Sequence, residues 1–383
     1  MRLEDSVQSL AVPSAAAPSP TAPSSAPRKP IGLALQGGGS WGAYTWGVLD
    51  AMLASRSIGI AHLSGTSAGA INGAIVASAL AKGSPVLARK ALRSFWLGIA
   101  RPAVADVGRH VWGPMERAWR DSLATWLISS GSVSPYSANP LNINPLRDAI
   151  AQHVDFDAIR SKDAPALYVT VTNVKTGLPR VISNEGITLD ALLASACLPT
   201  LFQAIEIDGE PYWDGGYCGN PTLWPMIHTG MARDIVVVQL VPDDVAETPR
   251  DASSIRQRIG EIVFNSSLVA EMQSIAAMRA MAARGEGPSS MRELRMHRIG
   301  PPPRDLIEPG SALERSRSAL LRLHDEGRSA GRQFIARHGA DIGVRETLDI
   351  ARTYVDARKP KVRVAANDDP LEVDRSTPSE AVS

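Results

Sequence analysis

The stretch "ALQGGGSWGAYTWGVL", residues 34–49, decides how this chain is read. Three consecutive glycines separate a short apolar run from a segment with apolar residues at helical spacing. Glycine loses more backbone freedom on folding than any other residue, so the triplet marks a place where bare backbone must approach something closely. Upstream, "IGLAL" (31–35) reads as a buried strand. Downstream, Tyr44, Val48, Leu49 and Met52 recur at the helical period. "IGIAHLSG" (58–65) repeats the strand signal, and "SAGAINGAIVASALAKG" (67–83) reads as a helix of small residues suited to close packing on a sheet. Strand–helix–strand–helix at this density predicts a three-layer α/β/α fold with a mostly parallel central sheet.

Farther along, "ALYVTVTNV" (166–174) and "LPRVIS" (178–183) read as paired strands, and "TLDALLASAC" (188–197) as a helix. "FQAIEIDGEPYWDGG" (202–216) reads as a hairpin turning at Asp208-Gly209, and "DIVVVQLVP" (234–242) as a buried strand. The expected organisation is a catalytic-size domain over 31–242 and a mainly helical extension over 243–357. One strand candidate, "LRMHRIG" (294–300), interrupts that extension. Residues 1–30, rich in Ala, Pro and Ser, and the charged residues 358–383 read as disordered tails with too little apolar surface to offset ordering entropy.

Composition narrows the function classes. An apolar content of 44% over 383 residues supports a large core, and a net charge of +1 gives no reason to expect nucleic acid as a partner. The two cysteines, Cys197 and Cys218, form neither a disulfide framework nor a zinc motif. No metal or cofactor is expected. The N-terminus lacks the continuous apolar stretch of a signal peptide, and no run of about 18 apolar residues predicts a transmembrane helix. A cytoplasmic protein is the expectation.

Gly37, Gly39 and Gly42 satisfy G-x-G-x-x-G between a strand and a helix, the dinucleotide fingerprint. That reading also wants a carboxylate near the end of the second strand, where this chain has "LSGTSAG". The P-loop lysine is absent as well. Two readings of the triplet remain: a tight strand-to-helix turn, or amides that hold an oxyanion at a helix N-terminus. The second needs a nucleophile nearby, and "GTSAG" (65–69) offers one. It matches G-x-S-x-G with Ser67 at a predicted strand–helix junction, the context in which a sharp turn exposes the hydroxyl and the flanking Gly65 and Gly69 permit close packing. The competing reading is an ordinary helix cap, with Ser64, Thr66 or Ser67 accepting from first-turn amides.

A serine hydroxyl needs a base within hydrogen-bond reach. None of the seven histidines (62, 110, 153, 228, 297, 324 and 338) sits in a recognisable strand-end loop. His62 reads as a packing residue, and His324 and His338 as solvated residues of charged helices. In "YWDGGYCGNP" (212–221), Asp214 ends a hairpin strand before Gly215 and Gly216. It reads equally as a buried general base or as the first residue of an Asx-turn.

The ordered set "GGGSWG", "GTSAG" and "DGG" resembles the patatin-like phospholipase family, over roughly residues 31–242. "SACLPTLF" (195–202) resembles the helix-end segment that precedes the aspartate hairpin in bacterial members. The resemblance implies that Ser67 is the nucleophile and Asp214 the base of a Ser-Asp dyad. Gly37, Gly38 and Gly39 would supply the oxyanion amides, and neither a catalytic histidine nor a metal would be needed. It also implies a lipid ester substrate, with triacylglycerol or polyester granules as alternatives to phospholipid and a non-catalytic lipid-binding scaffold as the alternative class. Many members carry Lys or Arg where this chain has Trp41, which removes one cationic contact for a phosphate.

Two further features stay open. Trp112, Trp119 and Trp126 recur every seven residues beside Arg117 and Arg120. They read as a core or pocket wall, or else as a peripheral membrane contact through Trp at the headgroup level. Met272, Met278 and Met281 lie at helical spacing in "RQRIGEIVFNSSLVAEMQSIAAMRAMAAR" (256–284) and read as helix-on-sheet packing, with acyl-chain lining as the alternative.

Overall fold

The structure, a computed structural model, describes residues 28–100, 134–230, 233–307 and 311–356. The tails read at 1–30 and 358–383 therefore lie outside it, except that the first strand already begins at Lys29. The tryptophans at 112, 119 and 126 also lie outside the described residues.

The first strands and helices follow the expected order. β1 (Lys29–Leu35) leads through the glycine loop into α1 (Gly42–Ala54), then β2 (Ile58–Gly65), α2 (Ala68–Ala81) and α3 (Pro85–Gly98). Two shorter helices, Leu146–His153 and Phe156–Arg160, precede β3 (Ala166–Asn173), β4 (Pro179–Ser183) and α4 (Leu189–Ser195). The hairpin of β5 (Ile205–Ile207) and β6 (Glu210–Asp214) comes next, then α5 (Trp224–Thr229), β7 (Asp234–Val238), α6 (Ala252–Ala283), β8 (Arg295–Ile299) and α7 (Arg317–His338). The sheet runs β5-β6-β3-β2-β1-β7-β8, with β4 also on β3. Neighbours from β3 to β8 are parallel, and β4, β5 and β6 add an antiparallel flank. The strand candidate in "LRMHRIG" is β8, so the segment after 242 extends the central sheet as well as supplying helices.

Side-chain alternation along the strands separates two cores. Leu33, Leu35, Val236 and Val238 face α1, α2, α3 and α7, whereas Ala34, Ile235 and Val237 face α5 and α6. Met272 belongs to the second core, which assigns that methionine to helix-on-sheet packing. The covering helices change face at β1. Chains that leave the strands there open a crevice at the carboxyl ends of the strands, where open α/β sheets bind ligands.

α7 lies directly on α1. Gly47 of α1 abuts the His324 carbonyl, and Gly327 of α7 abuts the Tyr44 carbonyl, with no room for a Cβ at either position. The same contact buries His324, whose ring stacks on Trp46 at 4.0 Å between centroids. The solvated His324 read from the charged helix is thus corrected: the small residues draw the helices together and take the imidazole inside. Gly327→Ala should overpack this interface and cost ~1–3 kcal/mol. A thermal midpoint unchanged to within about 1 °C, where ~2–4 °C per kcal/mol is expected, would show that the helices do not depend on this contact.

Candidate active site

Two strand ends meet along one edge of β3. β4 occupies the opposite edge from Tyr168 to Thr172. On the free edge β2 pairs parallel up to Gly65, opposite Val169. β6 then takes over antiparallel, with Asp214 opposite Val171. The residues that follow β2 and those that end β6 are therefore brought face to face, although about 150 positions separate them in the chain.

Ser67 sits at that junction with φ 55° and ψ −125°, a left-handed backbone that an L-residue adopts only under constraint. It precedes α2 but its side chain caps nothing. Ser64 and Thr66 also turn away from the helix: their hydroxyls donate to the carbonyls of Thr222 (2.5 Å) and Gly219 (2.6 Å). The helix-cap reading of this motif is thereby replaced by one in which Ser67 alone points outward. Gly69 lies so close to the Leu35 carbonyl that a side chain would overlap it. A Cβ on Gly37 would stand 2.7 Å from the Ser67 Cβ. What the glycine loop approaches is thus the serine turn itself. Gly42, Gly65, Gly215 and Gly216 occupy contacts equally closed to a side chain.

Asp214 is fully buried. Its two carboxylate oxygens have different surroundings. Oδ1 accepts the Gly216 N–H at 2.8 Å, the Asx-turn, while Oδ2 is buried with no hydrogen-bond partner among the described residues. The Ser67 side chain acts on this carboxylate and favours its ionised form, but it makes no bond of full geometry to Oδ2. Burial dominates the ionisation: it pushes the Asp214 carboxyl up to about 7, against the opposing pull of the Gly216 amide and the Ser67 hydroxyl.

The glycine triplet divides. Gly37, expected among the oxyanion donors, instead gives its N–H to Asn220 Oδ1 at 2.6 Å. The amides of Gly38 and Gly39 donate to no described residue, and neither does that of Ala68, the residue after the serine. A cavity of about 290 Å³ opens beside Ser67, Gly39 and Ala68. Its walls include Ile71, Phe95, Trp96, Leu198 and Phe202, with Ala312 and Leu313 closing one side. Trp41 points away from it and donates its indole N–H to Ser311 Oγ at 2.9 Å. A larger polar cleft of about 690 Å³, walled by Arg250, Arg258 and Arg304, shares no described residue with this cavity.

No described histidine lines the cavity. His62 is buried with its proton affinity lowered by desolvation, His297 is held by Asp234 (3.1 Å) and Thr347 (2.9 Å), and His228 meets Trp224 edge-on. His110 lies outside the described residues. Sequence reasoning passed over Asn220, Ser195 and the Ala68 amide. Ser195 Oγ accepts the Ser67 N–H at 2.9 Å and donates to the Thr170 carbonyl at 2.8 Å, so it ties the strained turn to β3. Both side chains stood in quoted segments, "GYCGNP" and "SACLPTLF", but only the fold shows which backbone they reach.

The fold thus gathers a serine in a strained turn, a buried carboxylate and the free amides of Gly39 and Ala68 around one apolar cavity. Residues 33–227 match the patatin-like phospholipases, and the chain belongs to this family of lipid acyl hydrolases. No curated protein matches the chain. Among solved structures it is similar to VipD from Legionella pneumophila, with 15% identity over 82% of this chain and 68% of that one and a TM-score of 0.37.

The Asp214 carboxyl has a folded-state pKa raised well above its unfolded value. Its contribution to stability is therefore fully present below about pH 4 and is lost as the pH rises through about 7. Asp214→Asn should gain on wild type, in thermal midpoint, between pH 5 and pH 8.5. Glu271, also pushed up to about 7 by burial, is common to both proteins and cancels in the difference. A midpoint difference that stays flat with pH would mean that Asp214 ionises without cost.

Proposed function

We propose that this protein is a serine lipid acyl hydrolase that cleaves carboxylic esters of phospholipids or related lipids through a Ser67-Asp214 dyad. The observation that carries the reading is the buried, unpartnered Oδ2 of Asp214 beside a serine in a strained turn. A carboxylate oxygen left without a partner in the interior is costly, and a serine proton is what it lacks.

In this scheme Asp214 takes the Ser67 proton as the hydroxyl oxygen attacks the ester carbonyl. The oxyanion lies against the amides of Gly38 and Gly39 and that of Ala68, at the start of α2, where the helix dipole favours negative charge. Collapse of the tetrahedral intermediate breaks the ester C–O bond, and the protonated Asp214 returns its proton to the departing alcohol. Water then attacks the acyl-Ser67, gives a proton to Asp214, and releases the fatty acid as Ser67 recovers its hydrogen. The apolar walls of the cavity suit an acyl chain, and Gly37 belongs there because only backbone can stand so close to the serine.

Ser67→Ala and Asp214→Asn should each lower kcat on p-nitrophenyl butyrate by at least ~10³-fold with the fold retained. A fluorophosphonate should label wild type and not Ser67→Ala. Because the base must be ionised, kcat/KM should fall about tenfold per pH unit below about 7 and level off above it. Full turnover in either variant would falsify the dyad. Comparison of dipalmitoyl-phosphatidylcholine with triacylglycerol in the same micelles ranks phospholipid against the other lipid esters.

A further inference from the structure

The six residues after the base carry a second device. Asn220, fully buried, holds the start of the glycine loop beside the serine turn. Its Oδ1 accepts the Gly37 N–H at 2.6 Å, and its Nδ2 donates to the Phe264 carbonyl at 3.0 Å and, more weakly, to the Gly37 carbonyl at 3.4 Å. Its own backbone is fixed as well: the N–H donates to Ser267 Oγ at 3.0 Å, and the carbonyl accepts from Gln36 Nε2 at 3.1 Å. Gln36 in turn accepts the amides of Leu240 and Val241 at 2.8 and 2.7 Å, which joins the loop to the end of β7. The space where a Gly37 Cβ would stand is closed by the Ser67 Cβ and the Thr66 carbonyl at 2.7 Å and by Asn220 Oδ1 at 3.2 Å, so the loop is held tightly against both residues.

We infer that Asn220 is the positioning residue of the oxyanion site: by occupying the Gly37 amide it fixes the loop so that the Gly38 and Gly39 amides stand free over the serine. The inference rests on the proposed hydrolase reading. One short turn then carries both halves of the machinery, Asp214 at its start aimed at the serine proton and Asn220 at its end setting where the oxyanion will be received. Between them the Gly219 carbonyl accepts the Thr66 hydroxyl, so the turn is also fastened to the serine elbow. A buried carboxamide suits this task because it is neutral and offers an acceptor and a donor in one rigid plane. A carboxylate there would present only acceptors to two carbonyls and would oppose an oxyanion.

The test compares wild type, Asn220→Ala and Asn220→Asp, normalised to folded protein by circular dichroism. Asn220→Ala should lower kcat on p-nitrophenyl butyrate by ~10²-fold with KM within about twofold. The pH midpoint near 7 set by Asp214 should not move. A trifluoromethyl ketone, whose hemiketal oxyanion occupies the same site, should bind more weakly by the factor lost in kcat/KM. An unreactive alkyl amide of the same length should bind as before. Asn220→Asp, nearly the same shape, covers the case in which the alanine variant fails to fold, and should also lose kcat rather than affinity for the amide. Wild-type kcat in either folded variant, or equal weakening of ketone and amide, overturns the inference. Wild type that takes no fluorophosphonate label and hydrolyses no ester would instead sink the hydrolase reading.

Discussion

One edge of β3 holds the site together. β2 stops at Gly65 opposite Val169, and β6 arrives from the other direction to end at Asp214 opposite Val171. Because strand pairing fixes neighbours to a fraction of an ångström, the distance between serine and aspartate is set by a backbone ladder rather than by flexible side chains. Everything else around the serine follows from keeping that junction open. The turn must double back at once, hence φ 55° at Ser67. The next helix must start against β1, hence the contact between Gly69 and the Leu35 carbonyl. The strained N–H at position 67 needs an acceptor inside the protein, which Ser195 provides.

Burial raises the proton affinity of Asp214 and sets the cost of its ionised form. In water a carboxyl has too little proton affinity to draw a proton from a hydroxyl near neutral pH; pushed up to about 7, it is a far better match to that task. The same desolvation works against the ionised state of the fold. The structure limits the loss with the Gly216 amide hydrogen bond to Oδ1 and the pull of the Ser67 hydroxyl, and gives Oδ2 no hydrogen bond of full geometry. More donors on Oδ2 would stabilise the carboxylate and depress its basicity. A sparse environment around Asp214 is therefore what the proposed dyad requires of its base, and the turn residues Gly215 and Gly216 keep it sparse by packing backbone against Thr170 and the Phe264 ring.

Much of this was legible in the sequence because it is local. The strand at 58–65, the small-residue helix after it and the hairpin at 202–216 are each encoded by periodicity and turn residues within a dozen positions. Ser67 and Asp214 stood out in the sequence for the same reason, as motif residues in strand-end context, and the fold places both at the same edge of β3. The division of labour among the three glycines was not legible, because it depends on a carboxamide 183 residues away. Nothing in "GGG" distinguishes an amide that receives substrate from one already committed to a side chain. His324 was misread on the same grounds: a charged helical context predicts exposure, but the contact of Gly47 with that helix, made across the fold, buries the ring.

The cavity is also not the property of the matched region alone. Residues 33–227 contain the serine, the aspartate and the glycine loop, yet Ala312 and Leu313 form one wall of the space beside them. The Ala312 carbonyl lies where a side chain on Gly39 would be. Trp41, which occupies the loop position where many relatives carry a cation, spends its one polar atom on holding Ser311. The indole therefore does here a different job from a charge: it fastens a late segment of the chain over the loop and leaves Arg315 at the rim of the cavity. The cavity wall is in this way assembled from residues before and after β7 in the chain, and the glycine loop is supported on one flank by Asn220 and on the other by the segment around Ser311. A loop gripped on both flanks keeps its amides in place before any charge develops on them, and that preorganisation is where most of an oxyanion site's advantage over water arises.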